Sequence, residues 1–184
     1  WDRLPLGTVT TEGLFDGKRL YLNKYTSSYN GSKLSGAAFL PIDYNIASEN
    51  FSEYFKDDSM WVYVTGQTKT LEFLTTYMTN VDSINGDFNF ELEVKGPRYN
   101  LIRNGYLNSH EATIYSIQLD DPIYNVQGYA DLYHNHFEWK SLAGSMVKEP
   151  TDLKKHNMFV SGSMDMTQFF KPIYDLNIKG EEIY

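Results

Sequence analysis

The sequence predicts an all-β protein, an antiparallel β-sandwich or barrel with one short helix. Three observations predict it. Short stretches of alternating apolar and polar residues recur along the chain, Gly, Asn and Pro punctuate them, and nowhere does the strand and helix alternation of a nucleotide-binding sheet replace them.

Taken in order, Asp16-Gly17 is a turn signal ahead of the strand RLYLNKY. Ser48 is placed to cap a short helix, ENFSEYFK, whose Phe51, Tyr54 and Phe55 share one side. MWVYVTG, residues 60–66, is almost continuously apolar and reads as a strand buried on both faces. LEFLTTYMT, residues 71–79, fits either period, and its β-branched threonines tilt it toward strand. The clearest element is FNFELEV. Phe88, Phe90, Leu92 and Val94 fall on one face and Asn89, Glu91 and Glu93 on the other, the two-residue period of a strand with one wet side. Asn85-Gly86 before it and Asn104-Gly105 after YNLI read as hairpin turns, and Lys95-Gly96-Pro97 as a strand end. Thr113, Tyr115, Ile117 and Leu119 alternate up to Asp121-Pro122, so residues 81–121 read as a meander. YNVQGYADLYHNHFEWK, MFVSGSMDM and PIYDLNI complete the strands, with EPTDLKKHN as a polar loop.

A chain of 184 residues is expected to be a single β-rich domain over 1–184, with an inserted helix-containing segment near residues 41–60. It has no cysteine, which excludes disulfides, thiolate metal sites and a cysteine nucleophile. A net charge of −8 without a dense Lys/Arg cluster argues against nucleic acid as a partner. No apolar run approaches the ~18 residues of a membrane-spanning helix. Fifteen tyrosines suit β-sheets and wet contact surfaces alike.

The run from Asp82-Ser83-Ile84-Asn85-Gly86-Asp87-Phe88-Asn89-Phe90 through Val94-Lys95-Gly96-Pro97-Arg98-Tyr99-Asn100-Leu101 resembles the transthyretin-like (prealbumin-like) β-modules of Bacteroidetes envelope proteins. LFDGKRLYL near the start is similar to the hairpin that opens those modules. The match is partial, and the long insertion between its halves departs from the usual spacing. The resemblance implies an extracellular or cell-envelope protein that binds or assembles, and it carries over no catalytic residue.

Candidate chemistry centres on ADLYHNHFEWK. As one continuous strand it would project His134, His136 and Glu138 to one side, a start on a metal site that His110, Glu111 or His156 would have to complete. Tyr133, Phe137 and Trp139 would take the other side, and their larger apolar area predicts that side for the core and the histidines for solvent. Asp82, Asn85 and Asp87 are oxygen donors, but lack calcium-loop spacing and are better explained by the turn. No nucleophile motif or carboxylate pair points to hydrolysis. Trp61 and Trp139 read as structural, whereas Tyr25, Tyr29, Tyr99 and Tyr106, near turns, are the predicted contact residues.

The expectation is therefore a non-enzymatic, extracellular or surface-associated interaction or assembly module without a cofactor. Its partner would be a protein or glycan, and a structural subunit of a virion or filament belongs to the same class. Two alternatives stay open: a lipocalin-like barrel for a small lipophilic ligand, and a metal-dependent enzyme using His134 and His136.

Overall fold

A computed structural model describes residues 7–16, 19–29, 31–41, 59–71, 80–97, 99–146, 156–168 and 171–181. They form ten strands: β1 (Thr8–Phe15), β2 (Arg19–Tyr29), β3 (Ser32–Pro41), β4 (Ser59–Thr70), β5 (Val81–Pro97), β6 (Ile102–Ser116), β7 (Ile123–Tyr133), β8 (His136–Ser145), β9 (Met158–Asp165) and β10 (Ile173–Gly180). Every strand pairs antiparallel with its sequence neighbours, giving one ten-stranded sheet in chain order. The all-β antiparallel class is as the sequence predicts. Among the described residues, however, there is neither a second sheet nor a pairing of β1 with β10, so the sheet is open. The predicted helix at 49–56 and most of the stretch 71–79 lie outside the described residues.

Register sorts the side chains, because residues directly opposite across a ladder share a face. Phe88, Phe90, Leu92 and Val94 of β5 lie opposite Ser109, Leu107, Gly105 and Arg103 of β6, while Asn89, Glu91 and Glu93 lie opposite Asn108, Tyr106 and Asn104. The predicted alternation of FNFELEV is thus realised, and it propagates. Val62 and Val64 of β4, Ala130 and Leu132 of β7, and Phe137 and Trp139 of β8 join the apolar face. The other face is polar and carries Asn89, Glu91, Asn104, Tyr106, Asp131 and Glu138.

The predicted hairpins at Asn85-Gly86 and Asn104-Gly105 do not exist. Both pairs lie inside long strands, β5 of 17 residues and β6 of 15. Gly86 sits at a register shift between Asn85 and Asp87, and adjacent strands shift at Ser109/Ala112, Tyr124/Gln127 and Trp139/Leu142. Glu111 and Asn125, with φ of 52° and 49°, are the extra residues of two of these bulges. A bulge bends its strand, and bulges in successive strands form a corner across the sheet. A Cβ on Gly86 would stand 2.4 Å from the Ala112 Cα, so the corner needs glycine for close approach rather than reversal. The core lies at this bend: Leu71, Ile84, Phe88, Ala112 and Val126 are buried, with Val81, Leu107, Ile114, Ile123 and Leu142 packed around them. Each large side chain buried here contributes roughly 1.5–3 kcal/mol.

The reversal that the sequence reading missed is at His134-Asn135. ADLYHNHFEWK is not one strand: β7 ends at Tyr133, β8 begins at His136, and the two residues between have φ of 49° and 69°. Positive φ at both central residues is the signature of the tight turn whose twist matches flanking strands, and asparagine tolerates it well. The turn is locked from below. The Asn135 amide N–H donates to the Arg103 carbonyl (3.1 Å), its Oδ1 accepts from the Arg103 N–H (2.9 Å) and Nη1 (3.1 Å), and its Nδ2 donates to the Leu101 carbonyl (2.9 Å). The Met166 N–H donates to the Asn135 carbonyl at 2.8 Å. The reversal separates Tyr133 from Phe137 and Trp139. Tyr133 pairs with His136 on the polar face and is 69% exposed, whereas the other two rings meet edge to face, 4.7 Å apart, on the apolar side.

Candidate functional site

The polar face of β4 to β8 carries a row of aromatic rings anchored to acids. In MWVYVTG the even positions Val62 and Val64 are purely aliphatic and the odd positions Trp61 and Tyr63 have polar tips, so the strand divides between the two environments. The expectation of burial on both faces is corrected accordingly: Trp61 is 36% exposed. Its indole donates to Glu93 Oε1 at 3.1 Å, and its ring lies nearly parallel to that of Tyr63, centroids 6.4 Å apart. The Tyr63 phenol hydrogen-bonds Glu91. Glu91 stands opposite Tyr106 on β6, which stacks at 6.1 Å on Tyr129 of β7, and the Tyr129 hydroxyl donates to Asp131 at 2.6 Å. Trp61 to Glu93, Tyr63 to Glu91 and Tyr106 to Tyr129 run diagonally across the ladders, as side chains do in a twisted sheet, while Trp61–Tyr63 and Tyr129–Asp131 run along single strands.

The electrostatics follow from these partners. The hydrogen bonds from Tyr63 to Glu91 and from Tyr129 to Asp131 raise both phenols above the ordinary tyrosine range, because ionisation would abolish the bond and set two negative charges together. Lys95, 3.0 Å away, and the Trp61 indole hold the Glu93 carboxyl below the usual range. Glu138 binds Lys140, whose own pKa it raises. On this face each resolved shift moves its group away from neutral pH, the reverse of tuning for proton transfer.

Beside the ring row, the polar face forms an open groove of about 540 Å³ that spans β1 to β6. Thr10, Thr26, Ser35, Thr65, Gln67 and Asn89 supply hydroxyls and amides to its wall, and Tyr106 belongs to both the groove and the ring row.

The sequence-predicted residues scatter over this architecture. Tyr106 lies in the row. Tyr25 and Tyr29 project from β2 on the apolar face, Tyr25 opposite Gly36 and Tyr29 opposite Ser32, and burial raises the Tyr25 phenol. Tyr99 is 72% exposed in the turn between β5 and β6. His134 occupies its turn with the backbone N–H bonded to Asn104 Oδ1 (3.0 Å), while His136 and Glu138 sit on β8 opposite Asp165 and Ser163. Among the described residues no group of three His, Cys, Asp or Glu side chains is arranged to hold a metal ion. The residues the sequence reading passed over, Trp61, Tyr63 and Tyr129, were signalled only by parity within their strands.

No protein family, curated protein or solved structure matches the chain. One sheet architecture serves many tasks, so function rests on the site itself.

Proposed function

We propose that this protein is a non-enzymatic recognition module acting outside the cell or at its surface, and that it engages its partner through the polar sheet face. One observation carries the reading: two ring pairs, Trp61 with Tyr63 and Tyr106 with Tyr129, stand on the water-facing side of the sheet, and the polar tips of Trp61, Tyr63 and Tyr129 are held by Glu93, Glu91 and Asp131. Rings held in place lose little freedom on binding, so such a surface is prepared for contact before the partner arrives. A hydroxyl-lined groove beside it suits a polar ligand better than a lipophilic one.

The test is biolayer interferometry of the wild type and a Trp61→Ala/Tyr129→Ala double variant against panels of immobilised glycans and surface-protein ectodomains. Loss of at least about tenfold in affinity is expected, with the melting transition retained. Unaltered binding by the double variant overturns the reading. Labelling of intact source cells with an antibody to the protein checks the location.

A further inference from the structure

We infer that the ligand of the polar face is an uncharged, extended polysaccharide lying across the strands from the groove at β1 to the ring row at β7. This rests on the recognition reading above and names its ligand class. Three features converge on it. First, groove and ring row form one track, because Tyr106 lines the former and stacks within the latter. Six inter-strand spacings make this track about 25–30 Å long, enough for several sugar rings.

Second, the two ring pairs sit on either side of β5, one on β4 and the other on β6 and β7. The C–H faces of sugar rings pack on aromatic faces, so two platforms separated by a strand serve two separated sugars of one chain. The groove between β1 and β5 offers donors and acceptors together, Gln67 and Asn89 among them, as a ligand made of hydroxyls requires.

Third, the charges select against ions. The lysines beside the ring row and at its flank are paired to acids, Lys95 to Glu93, Lys140 to Glu138 and Lys69 to Asp87, and among the described residues Lys33 is the single charged residue of the groove wall. Glu91 and Asp131 meanwhile hold phenols. A uronate or sulfate chain would meet one lysine in the groove and then the carboxylates of Glu91, Glu93, Asp131 and Glu138 along the ring row, not a cationic cleft, whereas an uncharged chain avoids that repulsion.

Affinity electrophoresis and calorimetry with soluble glucan, mannan, galactan and xylan, against heparin and alginate, test the inference. Binding to at least one neutral polysaccharide is expected. Neither anionic chain should bind comparably, and a hexasaccharide of the preferred sugar should bind about tenfold more tightly than its trisaccharide. Trp61→Ala and Tyr106→Ala should each weaken binding about tenfold, and Tyr106→Phe, which keeps the ring, should not. The groove variant Gln67→Ala changes an exposed residue, so its weaker hexasaccharide binding reads the track free of folding effects. Binding to none of the neutral chains, preference for the anionic ones, or equal affinity for tri- and hexasaccharide overturns the inference. If Trp61→Ala instead abolishes binding to a protein ectodomain, the glycan assignment fails and the contact face stands. If no variant of this face alters binding to anything that the wild type holds, both fail.

Discussion

Replacing Asn135 tests the locked turn between β7 and β8. The side chain is 8% exposed and makes three hydrogen bonds, accepting from the Arg103 N–H and Nη1 and donating to the Leu101 carbonyl. The two bonds to neutral backbone groups are worth about 1 kcal/mol each and the one from the guanidinium about 1.5 kcal/mol. Burial of Arg103 lowers its pKa, so the guanidinium is partly cut off from water and relies on its protein acceptors, Asn135 Oδ1 together with the Leu101 and Met166 carbonyls. At φ of 69° an alanine adds about 1 kcal/mol of backbone strain that asparagine largely avoids. Asn135→Ala should therefore destabilise the protein by about 4–5 kcal/mol, a large share of the stability of an ordinary domain. Asn135→Gly loses the same bonds without the strain and should be the milder change by about 1 kcal/mol. Asn135→Asp keeps the acceptor, the charge attraction to Arg103 and tolerance of positive φ, and should cost least, about 1–2 kcal/mol. Urea denaturation followed by far-ultraviolet circular dichroism measures all three. A cost below about 1 kcal/mol for alanine, or glycine no better than alanine, would refute the assignment of this dipeptide as the strained, buried reversal.

Two further outcomes follow from the core packing and the ring contacts. Phe88, 3% exposed in the core at the sheet corner, should cost about 3–5 kcal/mol on replacement by alanine, whereas Asn89→Ala one position along, on the polar face, should cost under about 1 kcal/mol; similar losses would mean that the faces are wrongly assigned. In an ultraviolet titration, Tyr63 and Tyr129 should ionise later than a free phenol, and Glu91→Ala or Asp131→Ala should bring each partner back toward the ordinary range. Because folding raises these pKa values, the stability they contribute is fully present below about pH 10 and is lost as pH rises through the raised values.

The contact face was only partly legible beforehand. The sequence marks Tyr106 only by its Asn-Gly neighbours, yet it matters because Glu91 faces it across the β5–β6 ladder and Tyr129 stacks on it across β6–β7. Neither neighbour is near it in sequence. Trp61 looked like core because its segment is rich in apolar residues, and only the pairing of Trp61 with Lys95 reveals that its side of the strand faces water.

What the amino-acid order determined alone is the strand class and the split of FNFELEV into a dry and a wet side, since a two-residue period leaves each side chain one choice of face. Where the chain reverses was decided by tertiary structure. Asn-Gly and His-Asn pairs both accept the unusual backbone angles of a turn or a bulge, so local preference could not rank them. The strands on either side did: with β5 and β6 paired on both sides of the bulge at Gly86 and through Gly105, reversal there would forfeit a long ladder and the core at Phe88, whereas Asn135 finds donors and an acceptor waiting at Leu101 and Arg103. Those partners lie more than thirty residues away, beyond the reach of any local pattern.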